Sequence, residues 1–352
     1  MNHKGYFYTA ITAALILISL LIIFFYSQTT ELEIESMQKR ISTDSLHYFV
    51  ENLKVDYQNA LEISGNRAIT VLIGRILNSS ENFAEYEMHQ CNFFKYKTKG
   101  SQSAISELML CGTLNGEKVS EMDNITLLNW TQRMSRINDI TIENLTIEDI
   151  SIAMRNSWDI VIASSVYLSA RDKANISNFN GILNVAQEIS VEGFEDPLYY
   201  IKTNDSDLIR KFKKCDNFTT VNGTIINTWI SEKCYHSSND SYNASSFFDR
   251  LDGKLNLSEK YATQSKIYFG NYEIGIESFV NLTEFFRHNL SLNFKDNKTY
   301  ETWIDYLYWQ GIEGNCRVNF TINYAINETH NITFSIDQAH AVKYNISDAN
   351  CL

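Results

Sequence analysis

Proline is nearly absent from this sequence: Pro197 is the only one among 352 residues. Disordered linkers and proline-rich stalks are enriched in proline and poor in aromatic residues. Aromatic residues make up 13% of this chain, which is enough to build hydrophobic cores. The composition therefore argues against a spacer and predicts folded structure in one or two domains.

Basic residues are also scarce, because 30 Lys and Arg stand against 42 Asp and Glu, for a formal net charge of −12. Proteins that bind nucleic acid present a basic face to the phosphates. The acidic balance therefore argues against nucleic acid as a partner. It also opposes adhesion of the folded part to an anionic membrane surface.

The motifs of common catalytic and cofactor sites are missing. The chain has no GxGxxG, phosphate-binding loop, HExxH, GxSxG or EF-hand pattern, and its seven histidines are scattered singly. We therefore predict no cofactor, no metal ion and no catalytic residue. His340, beside a predicted strand, is interpreted as structural.

One acidic cluster supports an alternative. Glu192, Glu195 and Asp196 lie close together around a glycine and a phenylalanine, and a glycoside hydrolase uses a pair of carboxylates. Such pairs face each other across a cleft and are rarely adjacent in sequence. The favoured interpretation is an acidic turn in which the Asp196 side chain caps backbone amides before Pro197.

The longest apolar run is Tyr6–Tyr26, which has no charged residue, glycine or proline. As a helix it rises about 31 Å, which matches a hydrocarbon core of about 30 Å. Lys4 precedes the run, and Glu31, Glu33 and Glu35 follow it, so the positive-inside rule places the remainder of the chain outside the cell. We predict an uncleaved single-pass anchor whose partner is the lipid bilayer; the alternative is a cleaved signal peptide.

Cysteine usage fits an extracellular compartment. The count is even, no cysteine precedes the anchor, and none forms a CxxC pair, which favours disulfides over metal or redox chemistry. Sequential pairing is weakly preferred among the fifteen possible arrangements. The candidates, in that pairing, are Cys91 with Cys111, Cys215 with Cys234, and Cys316 with Cys351.

Eighteen Asn-x-Ser/Thr sequons occur, and all but Asn78 lie beyond residue 120. Some are expected by chance in an asparagine-rich sequence, but the excess predicts heavy N-glycosylation of an exposed surface. The preferred candidates are Asn124, Asn144, Asn175, Asn217, Asn222, Asn319, Asn327 and Asn331.

Residues 29 to about 77 predict a helix with one apolar face, because apolar and small residues recur at three- and four-residue steps. We expect this face to pack on the protein's own folded part; the alternative is a coiled-coil seam with another chain. Its predicted members are Leu46, Val50, Leu53, Tyr57, Ala60, Ser64, Ala68 and Val71.

Later segments alternate apolar and polar residues, which is typical of antiparallel strands with one buried face. A short helix is predicted over Asn124–Arg136 and another over Ser245–Leu251, capped by Ser245. The predicted strands are Ile140–Met154, Trp158–Leu168, Leu183–Val191, Lys266–Val280, Val318–Ile326 and Ile332–Ile336.

The predicted fold class is α+β: an N-terminal transmembrane helix continues into an amphipathic helix, followed by a β-rich antiparallel ectodomain in two halves. The predicted boundaries are 1–28 for the stub and anchor and 29–80 for the helical stalk. The two ectodomain halves are predicted at 81–200 and 201–352.

Several short strings resemble a group of uncharacterised archaeal membrane-anchored surface proteins with pilin-like N-termini. GFEDPLY (Gly193–Tyr199) and GIESFVNL (Gly275–Leu282) are the most specific. The others are KGY (Lys4–Tyr6), NALEISGNRAI (Asn59–Ile69), FDRLDG (Phe248–Gly253) and IDYLYW (Ile304–Trp309).

This resemblance implies a cellular location and an architecture but no activity. Archaeal pilin precursors are typically cut after a basic residue and glycine, here Lys4 and Gly5. Many pilins carry glutamate at the fifth mature position, where this chain has Ala10. We therefore expect a glycosylated cell-surface protein with a structural or adhesive role at an archaeal envelope, with other envelope or pilin-like proteins as partners. The alternatives are an envelope enzyme such as a glycan hydrolase and a sensor or ligand-binding ectodomain.

Overall fold

The chain begins with an unbroken helix of 77 residues, α1 (His3–Ser79). Proline is absent from this segment, and its only glycines near the far end are Gly65 and Gly74. At 1.5 Å per residue the helix is about 115 Å long. Among the described residues, α1 is the one helix long and apolar enough to cross a bilayer, and its most apolar stretch is not covered by protein.

The computed structural model describes residues 3–79, 81–89, 99–135, 140–219, 221–280, 282–288, 290, 300–302, 304–312, 314–325, 328–346 and 349–351. The remaining α-helices are α2 (Ser101–Cys111), α3 (Leu127–Met134), α4 (Pro197–Thr203), α5 (Gly223–Glu232), α6 (Phe247–Leu251), α7 (Glu259–Phe269), α8 (Leu282–Arg287), α9 (Asp305–Gln310) and α10 (Gln338–Lys343). Short 3₁₀ turns span Ser120–Met122, Ser206–Leu208 and Asp240–Tyr242.

The strands are β1 (Thr113–Leu114), β2 (Glu117–Lys118), β3 (Ile140–Met154), β4 (Asp159–Asp172), β5 (Asn178–Ser190), β6 (Glu195–Asp196), β7 (Arg210–Lys211), β8 (Tyr235–Ser238), β9 (Gly275–Ser278), β10 (Tyr300–Thr302), β11 (Cys316–Ala325), β12 (Glu328–Ile336) and β13 (Asn350–Cys351). Long strands β3, β4 and β5 form one sheet in that order. In a second sheet β12 pairs antiparallel with β11 and parallel with β10.

These elements confirm an α+β fold with a long apolar N-terminal helix and antiparallel sheets. The predicted strand Ile140–Met154 is β3 in full, and the predicted hairpin after Val318 is formed by β11 and β12.

Two compact units make up the chain, and the first comprises residues 1–56, 131–146 and 166–183. Within it Leu46, Val50 and Leu53 of α1 are buried. Ser42 Oγ donates to Asp172 Oδ2 over 2.7 Å, and Asp172 also accepts two backbone amides of the turn between β4 and β5. Apolar burial and the hydrogen bonds of Ser42 to Asp172 and Ser177 thus hold this part of α1 against its unit.

The second unit comprises residues 57–130, 147–165 and 184–352. Within it Gly65 permits a close approach: a Cβ built there would lie 2.5 Å from Cδ1 of both Ile162 and Ile189. Any larger residue must displace these strand side chains. The predicted domain boundaries after residues 28, 80 and 200 stay predictions.

The rest of the predicted apolar face of α1 belongs to this second unit. Ser64 and Ala68 are fully buried, and Ala60 is half-buried. Tyr57 is 2% exposed, and its hydroxyl hydrogen-bonds Ser164 Oγ at 2.8 Å. Small residues and one tyrosine with a hydrogen-bonded hydroxyl therefore form the contact surface of α1 in this unit.

Helix α2 was not predicted, and it is buried although half of its residues are polar. Glu107 is fully buried and accepts four hydrogen bonds: from Tyr86 Oη, His89 N, Thr113 Oγ1 and Gly116 N, at 2.7–2.9 Å. Four donors satisfy its oxygens and offset the cost of burying a carboxylate.

Two local predictions need correction. Residues Lys266–Phe269, predicted as strand, end helix α7, which stops at Gly270 in the left-handed conformation; only Gly275–Ser278 is strand. The cap of α6 is Ser246 rather than Ser245, because Ser246 and Asp249 form a reciprocal capping box.

Candidate functional site: a buried polar centre and an adjoining pocket

Four of the sequence strings described above place charged or polar residues in one buried centre of the second unit. Arg250 Nη1 donates to Asp196 Oδ2 over 2.6 Å, and Nη2 donates to Asp305 Oδ2 over 2.8 Å. All three side chains are fully buried. We call Arg210, Arg250, Asp196, Asp305 and Ser278 the arginine centre.

Local structure fixes each carboxylate of the arginine centre. Asp196 caps α4: its Oδ1 accepts the Leu198 amide over 3.0 Å, with proline at the first helical position. Its Oδ2 also accepts the Tyr235 hydroxyl over 2.9 Å. Asp305 begins α9 and accepts Ser278 Oγ over 2.8 Å. Each carboxylate is thus held by neutral donors as well as by Arg250.

The second arginine completes the charge balance. Arg210 is 2% exposed, donates from Nη1 to Phe279 O over 2.7 Å, and lies 4.1 Å above the Tyr199 ring. Burial alone would lower the pKa of Arg250, but Asp305 and Asp196 raise it. Burial raises the pKa of Asp305 although Arg250 opposes the shift. Two arginines against two aspartates leave the centre close to neutral, as a buried cluster requires.

A second buried network surrounds Glu277, the charged residue of the GIESFVNL string. Lys343 Nζ donates to its Oε1 over 2.6 Å, and the Tyr344 hydroxyl donates to the same oxygen. His340 lies between Glu277 and Asp337, its two ring nitrogens each within hydrogen-bond reach of one carboxylate. The four ionisable groups alternate in sign.

Protonation of His340 follows from this arrangement. Burial alone would lower the pKa of His340, but hydrogen bonds to Asp337 and Glu277 raise it to about 9. Burial would also raise the pKa of Glu277, yet His340 and Lys343 hold it well below its usual range. The imidazolium is therefore a charged structural link at neutral pH, which agrees with the structural role expected for His340.

A cavity of about 350 Å³ opens beside these networks, next to the disulfide between Cys215 and Cys234. We call it the Trp229 pocket. Lys214 and Lys343 supply positive charge to its lining, and Glu273 supplies negative charge. Its aromatic lining residues are Phe218, Trp229, Tyr235, His236 and Tyr344.

The inner wall of the Trp229 pocket is a tight aromatic cluster. Trp229 stacks on Phe279 with centroids 5.3 Å apart, and the His236 ring lies 4.3 Å from the Trp229 ring. Burial lowers the pKa of His236 to about 4, so its ring is neutral. Trp229 Nε1 and His236 Nε2 are buried with no hydrogen-bond partner among the described residues. Unsatisfied buried polar atoms are uncommon and mark this wall as unusual.

The acidic cluster suggested for a hydrolase does not form one carboxylate pair. Asp196 is committed to the arginine centre, whereas Glu192 is exposed and accepts the Lys214 amide over 3.3 Å. Glu195 is half-buried in β6. The turn interpretation therefore describes Asp196 correctly as a cap, and its roles in the arginine centre were not foreseen.

Two of the predicted cysteine pairings are present, Cys215 with Cys234 and Cys316 with Cys351. Cys111 is also disulfide-bonded, and its predicted partner Cys91 lies outside the described residues. The Cys215–Cys234 bond lies close to His236, but sulfurs joined to each other are not metal ligands.

Five of the eight preferred glycan acceptors are exposed: Asn124, Asn144, Asn175, Asn217 and Asn222. Asn222 also caps α5 through its side-chain oxygen. The remaining three, Asn319, Asn327 and Asn331, have side chains outside the described part of the structure. Exposure meets the steric requirement for glycosylation at the first five, and their modification stays a prediction.

Comparison with protein-family models, with curated proteins and with solved structures finds no match for this chain. Sequence reasoning singled out the strings that form the arginine centre without recognising their chemistry. A usable signal was present for part of it: Glu277 and Asp305 are each the single charge of a largely apolar string, whereas Arg250 lies between Asp249 and Asp252. An isolated charge in such a setting predicts a buried residue with a partner elsewhere in the chain.

Proposed function

We propose that this chain is a single-pass cell-surface protein with a structural or adhesive role at an archaeal envelope, pilin-like in its N-terminal organisation. The observation that carries the proposal is α1. Within the first unit, one helix has an apolar run that protein does not cover and, further along, the buried residues Leu46, Val50 and Leu53. A helix of this kind ties a folded body rigidly to a bilayer.

The finer organisation belongs to the same proposal. Residues 29–80 act as an amphipathic continuation of the anchor, and the ectodomain is organised as two halves, 81–200 and 201–352. The disulfides support an oxidising, extracellular location. Exposed sequons such as Asn144 and Asn175 support a glycosylated surface.

The arginine centre fits a structural protein better than an enzyme. Its charged side chains are buried, and each carboxylate already has an arginine and neutral donors as partners. A catalytic carboxylate must instead reach a substrate. We therefore propose no enzymatic activity for this centre.

Labelling the native cell surface tests the role. A C-terminal tag on the full chain, imaged with gold-labelled antibody in electron micrographs of intact cells, should mark filaments or a regular layer at the envelope. Label on isolated, scattered molecules would argue against a structural role, and label found only after lysis would contradict the surface location. Peptide mass spectrometry of the same material should find glycans on the exposed sequons and no free thiols.

The Trp229 pocket favours a second candidate, a ligand-binding ectodomain. Its volume suits a small molecule, and two lysines with an aromatic wall suit a ligand that has both anionic and flat apolar parts. Tryptophan fluorescence of the full chain in micelles, titrated with aromatic carboxylates and with uncharged sugars, tests this candidate. Saturable quenching by the carboxylates that Trp229→Phe abolishes would support binding; no saturable signal would exclude these ligands.

A further inference from the structure

The face of α1 opposite its buried residues carries large exposed apolar side chains beyond the predicted membrane span. Ile34, Met37, Ile41, Tyr48 and Val55 are 55–68% exposed. At about 100° per residue, these five positions fall within an arc of about 60°. The buried residues Leu46, Val50 and Leu53 lie roughly 150° away on the same helix.

Two small polar residues, Ser45 and Asn52, occupy the gaps in this row and are also exposed. We call the seven positions the outward stripe. No charged residue belongs to it, whereas the charged pairs of this segment, Glu35 with Lys39 and Glu51 with Lys54, lie on other faces. A solvent-facing helix surface is normally polar, so the stripe requires a partner.

The spacing of the outward stripe indicates what that partner is. Ile34, Ile41, Tyr48 and Val55 recur at intervals of seven residues, with Met37, Ser45 and Asn52 between them. This is the repeat of a left-handed coiled coil, in which the seam stays turned toward a second helix. A flat surface or a lipid monolayer imposes no such period.

The membrane does not cover the stripe. Ile34 lies eight residues beyond Tyr26, about 12 Å above the end of the apolar run, and Val55 lies about 44 Å above it. Glycans leave the stripe open as well, because no sequon occurs before Asn78.

We propose that the outward stripe is the seam of a parallel, in-register dimer formed with a second copy of this chain. Burying most of these five apolar side chains removes about 500 Å² per chain, or roughly 1,000 Å² for the pair, which reaches the lower bound for a biological interface. The proposed membrane anchoring, on which the parallel orientation rests, places both helices at the same height and raises their effective concentration.

Cysteine cross-linking tests the seam with a matched control. Ser45→Cys places a thiol on the stripe, and Ser36→Cys places one on another exposed position, about 180° around the helix from Ser45. In membranes containing the full chain, mild oxidation should convert Ser45→Cys to a species of twice the mass and leave Ser36→Cys as single chains. Equal cross-linking of both variants, none at Ser45→Cys, or a product with a protein of different mass would overturn the proposal.

A second pair of substitutions shows whether the stripe drives the pairing. Ile41→Glu, added to Ser45→Cys, should lower the cross-linking yield at least tenfold, whereas Thr43→Glu on another exposed face should leave it unchanged. Both sites are exposed, so circular-dichroism melts should stay equal. Undiminished cross-linking with Ile41→Glu would overturn the seam.

Alkaline carbonate extraction of the same membranes distinguishes a failure of the dimer from a failure of the proposed anchoring. A chain that resists alkaline carbonate but never cross-links at Ser45→Cys contradicts the dimer alone. A chain that carbonate extracts, yet that cross-links at Ser45→Cys and not at Ser36→Cys, contradicts the anchoring alone.

Discussion

Removing Arg250 should be the most damaging single substitution in the arginine centre. Arg250→Met keeps the length and apolar stem of the side chain but removes the cation between Asp196 and Asp305. Both carboxylates are fully buried and lie 2.6 and 2.8 Å from the Arg250 guanidinium. Breaking a buried pair from one side costs about 3–5 kcal/mol, and here one arginine would remain for two buried carboxylates.

The size of this effect follows from what each carboxylate retains. Asp196 keeps the Tyr235 hydroxyl and Asp305 keeps the Ser278 hydroxyl, so neither loses all its hydrogen bonds. Neutral donors do not replace the Coulomb attraction of a cation in a poorly screened interior. The expected loss therefore arises from the uncompensated charge rather than from missing hydrogen bonds.

Guanidinium denaturation of the full chain in detergent micelles, followed by tryptophan fluorescence, measures the loss. The matched control is Lys213→Met, which removes a cation from an exposed pair with Glu232 at 3.1 Å and should cost at most about 1 kcal/mol. If Arg250→Met is no less stable than Lys213→Met, the arginine centre does not hold the fold together and our reasoning about it is wrong.

Two further predictions concern stability. Gly65→Ala should cost about 1–3 kcal/mol of stability by overpacking against Ile162 and Ile189. The control is Gly74→Ala, whose added Cβ meets no atom within 4 Å and which should be neutral or stabilising by up to about 1 kcal/mol. Equal melting temperatures for the two variants would contradict the close approach at Gly65. The pKa of His340 is raised from 6.5 to about 9, so the contribution of its charge to the free energy of unfolding is complete below about pH 6.5 and is lost as the pH rises through 9. Denaturation between pH 6 and 10 should show this loss of stability in the native chain. The same experiment should give a flatter profile of stability against pH for His340→Gln.

Periodicity predicted the face of α1 that packs on protein, because the buried residues Leu46, Val50 and Leu53 recur at helical spacing. Strands β4 and β5 alternate more and less buried side chains over most of their length, so a two-residue repeat identifies them. The segment Lys266–Phe269 failed because it is too short for its repeat to distinguish strand from helix. Gly270, which ends α7 in the left-handed conformation, was the available signal.

Helix α2 shows why a buried element can escape prediction. Polar residues such as Ser101, Gln102 and Glu107 are fully buried in it, so no apolar face appears in the sequence. Gln102 Nε2 donates to Ile152 O over 2.8 Å, and Glu107 accepts a hydrogen bond from the backbone amide of His89 in a neighbouring loop. Partners of this kind are distant in sequence and become visible only after folding.

Only part of the arginine centre could be predicted from the sequence. Asp196 was predicted as a cap because the residue before a proline often holds the following turn, and that local rule needs no tertiary information. Its pairing with Arg250 and the pairing of Arg250 with Asp305 join residues more than fifty positions apart. Sequence alone shows the isolated charges but does not show which of them meet.

We propose that α1 anchors a folded body on the outer face of a membrane. External protease applied to intact cells, with a C-terminal tag as reporter, tests it most directly. We expect the tag to be lost from intact cells while an N-terminal fragment containing Tyr6–Tyr26 stays in carbonate-washed membranes. A tag that is protected until the cells are lysed, or a chain recovered without its N-terminal run as a soluble protein, would contradict the account.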